Sequence, residues 1–349
     1  MKSRRDITFV DLFSGAGGLL RGFMDAGVRP VFSLEVWKPA IATHKRNFPD
    51  VDLIDEDIRT VSDARASRFR GKVDIVVGGP PCQGFSTIGK RLVKDPRNEL
   101  VFEFIRFVRV IRPKVFLMEN VRGLLSSDGG KTKVAIEEEF RDIGYRTISK
   151  VLCAADYGVP QLRNRIFFMG VRDDLEIQPA FPAPTCTKEN RATCGDAIND
   201  LMGLENRFPN HIPMRHNPIV QKRIACIKEG EGISKDGLPP ECSHGSRSDY
   251  LQNEIKNFSH VYRRLSRFRP ATTMVPGHNA FPLHPIANRS LTVREAARIQ
   301  TFPDDMLFEG SRQEQCIQVG NAVPVRLATI LAKQIITLIK KEKSHGRVS

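Results

Sequence analysis

Three things are missing from this sequence: an apolar run long enough to cross a membrane, a Cys-x-x-Cys pair and an internal repeat. The first absence argues against a helical membrane protein, because a span needs about 20 consecutive apolar residues. The opening stretch MKSRRDITFVDLF passes straight from charges into a strand pattern, without the apolar core and small-residue cleavage site of a signal peptide. A cytoplasmic, reducing location is therefore expected, with the seven cysteines as thiols. Cys186 and Cys194 are separated by too much loop-like sequence to suggest zinc, and no metal site is expected. Acid is also scarce: 54 Lys and Arg face 40 Asp and Glu, a formal net charge of +14. That balance suits a polyanionic partner, since neutralised phosphates release counterions. The rest is ordinary: 40% hydrophobic and 27% charged residues in 349, enough for one large domain or two unequal ones.

The first 120 residues alternate strand and helix patterns. ITFVDLF (7–13), PVFSLEV (30–36), VDLIDEDI (51–58), KVDIVVGG (72–79) and KVFLMEN (114–120) read as strands. GLLRGFMDAG (18–27), KPAIATHKRNF and ELVFEFIRFVRVI (99–111) have helical spacing between them. Such alternation predicts a mostly parallel sheet with helices on both faces, whose ligands bind at the carboxyl ends of the strands. Asp11, Glu35, Asp57, Cys82 and Glu119 all fall at or near those ends. From about 175 to 288 the sequence has many prolines, scattered basic residues and no clean period. Order returns at LTVREAARIQTF (291–302), where Thr292 and Glu295 predict a capping box, and in a closing helix from near Pro324. The final KEKSHGRVS reads as a solvated tail.

Two loops carry chemistry. DLFSGAGG ends a strand and opens a helix, the setting for a glycine loop beneath a nucleotide-like ligand. Gly15 and Gly17 fit a dinucleotide fingerprint but Leu20 stands where a third glycine belongs, so NAD, S-adenosylmethionine or a tight turn all fit. In GGPPCQGFS (78–86), Cys82 follows two prolines; it is either a small packed residue or a nucleophile held in line by a restricted loop.

Taken together the motifs resemble the cytosine-5 DNA methyltransferase family. DLFSGAGGL, GGPPCQGFS, MENVRGL (118–124), QLRNRIF (161–167), RSLTVREAARIQTFPD (289–304) and QVGNAVP (318–324) occur in the family's order. The resemblance implies a Rossmann-like, S-adenosylmethionine-dependent methyltransferase domain plus a smaller irregular target-recognition domain. It places the first over 1–175, completed by 289–349, and the second over 176–288. It makes Cys82 the thiolate that adds to cytosine C6, and Glu119 the acid at ring N3, which needs a carboxyl kept protonated by burial. Asn120 would orient that acid and the proline loop. Arg165 would meet the cytosine O2 and Arg163 would lie near the sulfur; their spacing along one strand would put both on one face. For the cofactor it implies Phe13 and the backbone of Ser14, Gly15, Ala16, Gly17 and Gly18, with Glu35 on the ribose and Val36 on the adenine face. Asp57 and Ile58 would take the adenine edge, with Pro80, Leu100, Asn321 and Val323 lining the site. The aromatic that relatives carry directly after the Glu falls one position later here, at Trp37.

The expected partner is double-stranded DNA, with the target cytosine flipped out of the stack. The span 186–288 would encode the target, with Arg247, Asn253, Arg263 and Arg264 as candidate readers. The short plan resembles a bacterial or phage enzyme acting as a monomer in a restriction–modification system, alongside an endonuclease for the same site. An RNA cytosine methyltransferase of the same fold is the nearest alternative, although its relatives tend to carry Thr where Ser86 stands. An NAD-linked oxidoreductase would leave Cys82, Glu119 and the arginine pair unexplained, and intact Cys82 and Glu119 argue against an inactive DNA-binding relative.

Overall fold

The computed structural model describes residues 6–81, 99–125, 127–232, 261–275 and 281–345. In chain order the elements are β1 (Thr8–Leu12), α1 (Gly18–Asp25), β2 (Arg29–Leu34), α2 (Lys38–Asn47), β3 (Leu53–Ile54), α3 (Asp63–Ser67), β4 (Ile75–Gly78), α4 (Glu99–Ile111), β5 (Val115–Val121), α5 (Lys131–Asp142) and β6 (Tyr145–Cys153). There follow β7 (Gln161–Leu162), β8 (Asn164–Arg172), α6 (Cys194–Ile198), α7 (Pro218–Ala225), β9 (Ala271–Thr272), α8 (Val293–Ile299), α9 (Arg312–Asn321) and α10 (Val325–His345). The residues divide into two compact units: 1–157 with 164–185 and 323–349, and 158–163 with 186–322.

The first unit holds a seven-stranded sheet in the order β3-β2-β1-β4-β5-β8-β6. β1 to β5 run parallel, and β8 is antiparallel to both β5 and β6. The chain reverses direction across the sheet between β1 and β4, the crevice where open α/β sheets take ligands. Alternation decides the faces. Val10, Leu12, Phe32, Leu34, Val76, Phe116 and Met118 share one apolar cluster with Phe104, Phe107 and Val108 of α4 and with Ile136 and Phe140 of α5. Phe9, one residue out of phase, points the other way and meets Phe23 of α1 at 5.1 Å between ring centroids. α10 lies along α1 on that side, where a side chain at Gly22 would collide with Ala328. Helices therefore cover both faces, as the alternation predicts.

Five readings change. VDLIDEDI forms only the two-residue edge strand β3; Asp57 then accepts the Arg59 N–H at 2.9 Å and caps a 3-10 turn, Ile58–Thr60. The strand read through 161–167 breaks at Arg163, between β7 and β8, so the argument that Arg163 and Arg165 share a strand face does not hold. The closing helix runs to His345, into the stretch read as tail. The expectation of no membrane-length segment needs amending, because Arg312–Glu342 meets that test on length and composition. Its apolar residues Ala328, Leu331, Ala332 and Ile335 are buried at helical spacing, which is the pattern of a core helix. Finally, the span without a period does contain α6, α7 and β9.

The second unit is built differently. Among its described residues one small sheet pairs β7 with β9, capping boxes form at Thr193/Asp196, Thr292/Glu295 and Ser311/Glu314, and much of the backbone is irregular.

Candidate active site

The glycine loop after β1 is held in a strained backbone. Phe13 sits at φ 60°, which non-glycine residues seldom adopt, and Gly15 and Gly17 are also left-handed. A Cβ on Gly17 would stand 2.5 Å from the Phe48 ring, so only glycine fits there. Glu35, just past β2, fastens the loop: Oε2 accepts the Gly15 N–H at 2.7 Å, and Oε1 accepts those of Val36 and Trp37, both at 2.9 Å. A carboxylate offers about four lone-pair sites, so one remains for a ligand hydroxyl. Val36 is 56% exposed, unusual for an apolar side chain beside a buried strand. Ser14 Oγ is buried with no partner among the described residues. Asp11 lies fully buried below the loop; burial pushes its carboxyl well above the usual range, the Leu20 N–H opposes this, and the charge of Glu35 adds to it. A spare carboxylate lone pair, an unpartnered hydroxyl and an exposed apolar face at the ends of the paired strands β1 and β2 fit a polar ligand with a ribose and a flat ring.

Asp57 is more committed than its position suggests. Both its oxygens face the Arg59 guanidinium, and that hydrogen bond holds its carboxyl below the usual range. Ile58 and Val323 are buried, Pro80 is buried, and Leu100 packs against the sheet's apolar cluster.

At the end of β5 the sheet brings a second group together. Glu119 and Arg165 are diagonal neighbours across β5 and β8, because Val121 lies opposite Arg165. Arg165 Nε is 3.0 Å from Glu119 Oε1, and both side chains are largely buried. Asn120 Nδ2 donates to Pro80 O at 3.2 Å, so β5 anchors the loop that leads on to Cys82. Cys82 itself lies outside the described residues, as do Arg247 and Asn253.

Arg163 belongs to the second unit. It is 1% exposed and donates to Met274 O at 3.3 Å and to Asn321 O at 3.2 Å. Two residues that the motif reading did not single out complete this arrangement. Gln161 Nε2 donates to Gln300 Oε1 at 2.9 Å, and Gln300 Nε2 donates to Val319 O and Ala322 O. The carbonyls flanking and including Asn321 are thus fixed by buried side chains. The signal was present: a glutamine at an apolar phase of AARIQTF has to find partners.

Arg263 is exposed, but Arg264 is corrected as a base reader. It is 4% exposed and all its donor atoms are engaged, with Ile227 O, His284 O, Ala287 O, Ile224 O and Asn288 Oδ1. It holds the unit together and has nothing left for DNA. Among the described residues no group of His, Cys, Asp and Glu could hold a metal ion.

The comparisons agree with this geometry. The C-5 cytosine-specific DNA methylase family matches residues 7–337. The chain belongs to that family. It is 40% identical over 347 residues to Type II methyltransferase M1.HphI of Haemophilus parahaemolyticus, covering 96% of this chain and 88% of that one. It is 36% identical to Type II methyltransferase M.DdeI of Desulfomicrobium norvegicum, covering 94% and 88%. The crystal structure of an E. coli prophage protein assigned as a DNA modification methyltransferase superposes with a TM-score of 0.75 at 26% identity, covering 96% of this chain and all of the other. The protein is a DNA cytosine-5 methyltransferase with the Rossmann-like fold of that family.

Proposed function

We propose that this methyltransferase uses S-adenosylmethionine and Cys82 to methylate a cytosine flipped out of a specific duplex sequence, as the modification half of a restriction–modification system in a prokaryotic cytoplasm. The observation that carries the catalytic part is the Glu119–Arg165 pair at the end of β5, beside an Asn120 fastened to the loop that leads to Cys82. S-adenosylmethionine supplies a methyl sulfonium, the electrophile. Glu35 would hold the ribose with its remaining lone pair, Val36 the adenine face, and Phe13 and the backbone of 14–18 the rest of the cofactor. Because the Asp57 carboxylate is taken by Arg59, the adenine edge would meet chiefly the backbone at Asp57 and Ile58. Pro80, Leu100, Asn321 and Val323 are the remaining lining residues by family resemblance.

Cytosine C5 is a poor nucleophile until aromaticity is broken. The Cys82 thiolate adds to C6, and Glu119 donates a proton to N3 as charge arrives there. Arg165 faces O2 and fixes Glu119; Arg163 is assigned near the sulfur. C5, now enamine-like, would take the methyl of the bound sulfonium, leaving the S-adenosylhomocysteine thioether; the C5 proton would pass to solvent as the C6–sulfur bond breaks and Cys82 leaves as its thiolate. Flipping the base costs a few kcal/mol, recovered from pocket and backbone contacts. The chain would act as a monomer, its target read within 186–288, and an endonuclease would cut the same site unless methylated.

Incubation with methyl-labelled cofactor and either duplex DNA or tRNA is the test. Label at cytosine C5 of duplex DNA is expected, lost in Cys82→Ala while S-adenosylhomocysteine still binds. Turnover in Cys82→Ala, or label in tRNA alone, would overturn the proposal.

A further inference from the structure

Phe268 is 76% exposed, more than any other large apolar side chain among the described residues. It is not on a frayed end. It tops the turn 266–269, whose backbone is clamped on both sides: Arg267 O accepts the Gly195 N–H at 3.0 Å and Arg269 O accepts that of Cys194 at 2.9 Å. Glu229 holds Arg267 twice, by its N–H at 2.6 Å and its guanidinium at 3.1 Å, and Ser266 Oγ accepts the Phe268 N–H at 3.3 Å. The Arg267 guanidinium lies 5.3 Å from the ring centroid. The turn is thus held by its neighbours and by its own side chains, and the phenyl ring it carries stays in water, open to a partner outside the unit.

The surroundings say what. Residues 261–275 contain four arginines and no acid. Arg264 is buried in carbonyls and Arg267 is matched by Glu229. Arg263 and Arg269 are exposed and have no acidic partner among the described residues. An aromatic face with uncompensated cations beside it is complementary to a nucleic acid: rings stack on sugars and bases, and guanidinium groups take phosphates.

Resting on the duplex-DNA reading above, we propose that the turn 266–269 is a DNA-contact element, in which Phe268 packs against a sugar or base face and Arg269 takes a phosphate. The test uses the full chain and a long PCR-amplified, unmethylated duplex of mixed sequence. Phe268→Ala is expected to weaken duplex binding about tenfold with the salt slope unchanged. Phe268→Trp should restore binding, and Arg269→Gln should lower the salt slope by about one. Melting temperature and S-adenosylhomocysteine affinity should stay at wild-type values in all three. Duplex affinity of Phe268→Ala within twofold of wild type would overturn the proposal. So would a fall of several degrees in its melting temperature, because the ring would then be covered by the chain itself. If the wild type neither binds nor labels the duplex, the function reading fails; if it labels the duplex and Phe268→Ala behaves identically, only the role of this turn fails.

Discussion

Phe116 in the first unit and Arg264 in the second are buried side chains around which their neighbours are arranged, by opposite means. Phe116 stacks on Phe140 at 3.9 Å and meets Tyr145 and Phe104 edge-on, so its contribution is apolar area and ring contact. Arg264 makes five hydrogen bonds, four of them to backbone carbonyls. Arg294, also fully buried, does the same for Pro209 O, Pro303 O and Met306 O. Helices and strands satisfy their own backbone and leave side chains free to be apolar. Irregular chain leaves carbonyls over, and a buried carbonyl must be paired. The first unit also uses arginine where its chain turns irregular, as Arg146 does on Leu175 O and Ile177 O, but the second unit buries such arginines.

The sharpest way to break this comparison is Arg264→Met, which keeps apolar bulk and removes every donor. Leaving several buried carbonyls unpaired should cost about 3–5 kcal/mol, seen in denaturant melts and in accelerated amide exchange over 261–290. Phe116→Leu, a change of shape in an apolar layer, should cost about 1–2 kcal/mol. Equal losses would mean that the second unit rests on apolar packing after all.

The same contrast explains what could be read in advance. Strands β1, β2, β4 and β5 were legible as short apolar runs bounded by turns, and helix α4 because its apolar residues recur at helical spacing over the limits it adopts. The glycine loop, Glu35 and Glu119 were legible as strand-end residues, and the Thr292/Glu295 box as a local signal. The break at Arg163 was not, because its cause is distant: the guanidinium is drawn to Met274 O and Asn321 O, 111 and 158 residues away. Arg264 looked like a DNA reader for the same reason, since a surface arginine and a buried carbonyl-binding one are identical in sequence.

Acid should separate the units next. His44, in the first unit, is buried against Phe48 with neither ring nitrogen bonded among the described residues. Burial pushes it down from 6.5 to about 4, with Lys45 adding. His284, in the second, is also pushed to about 4 by burial; Glu295 and Glu205 oppose this, while Arg289 and Arg264 assist. Its Nδ1 accepts the N–H groups of Ile286 and Ala287. In both cases the unfolded chain binds the proton first. Stability is therefore full above 6.5 and is lost as pH falls from there towards about 4, by about 3 kcal/mol per imidazole. His44→Leu should flatten part of that acid limb without loss at pH 8, because no bond is given up. His284→Leu should lose stability at every pH, because two backbone donors are left unpaired. A His44→Leu melting curve that still falls as steeply with acid would show that His44 is already protonated in the fold.

The smallest expected effect tests whether polar fixing in the second unit also serves the reaction. Gln300 is buried, accepts from Gln161 and donates to Val319 O at 2.7 Å and Ala322 O at 3.2 Å. Arg163 holds the carbonyl of Asn321 between them. Gln300→Leu conserves bulk but frees two carbonyls and one amide, at a cost of about 1–3 kcal/mol. If the network only stabilises the fold, that loss appears in the melting temperature, and a stabilising osmolyte should restore full activity. If it positions Asn321 as a cofactor contact, KM for S-adenosylmethionine should rise about tenfold and stay raised when stability is restored, while KM for duplex DNA changes less than twofold. Gln300→Glu sharpens the distinction: a carboxylate can still accept from Gln161 but cannot donate to the carbonyls, so it should share the cofactor defect of the leucine variant. Unchanged cofactor KM in both variants would confine Gln300 to the architecture of its unit.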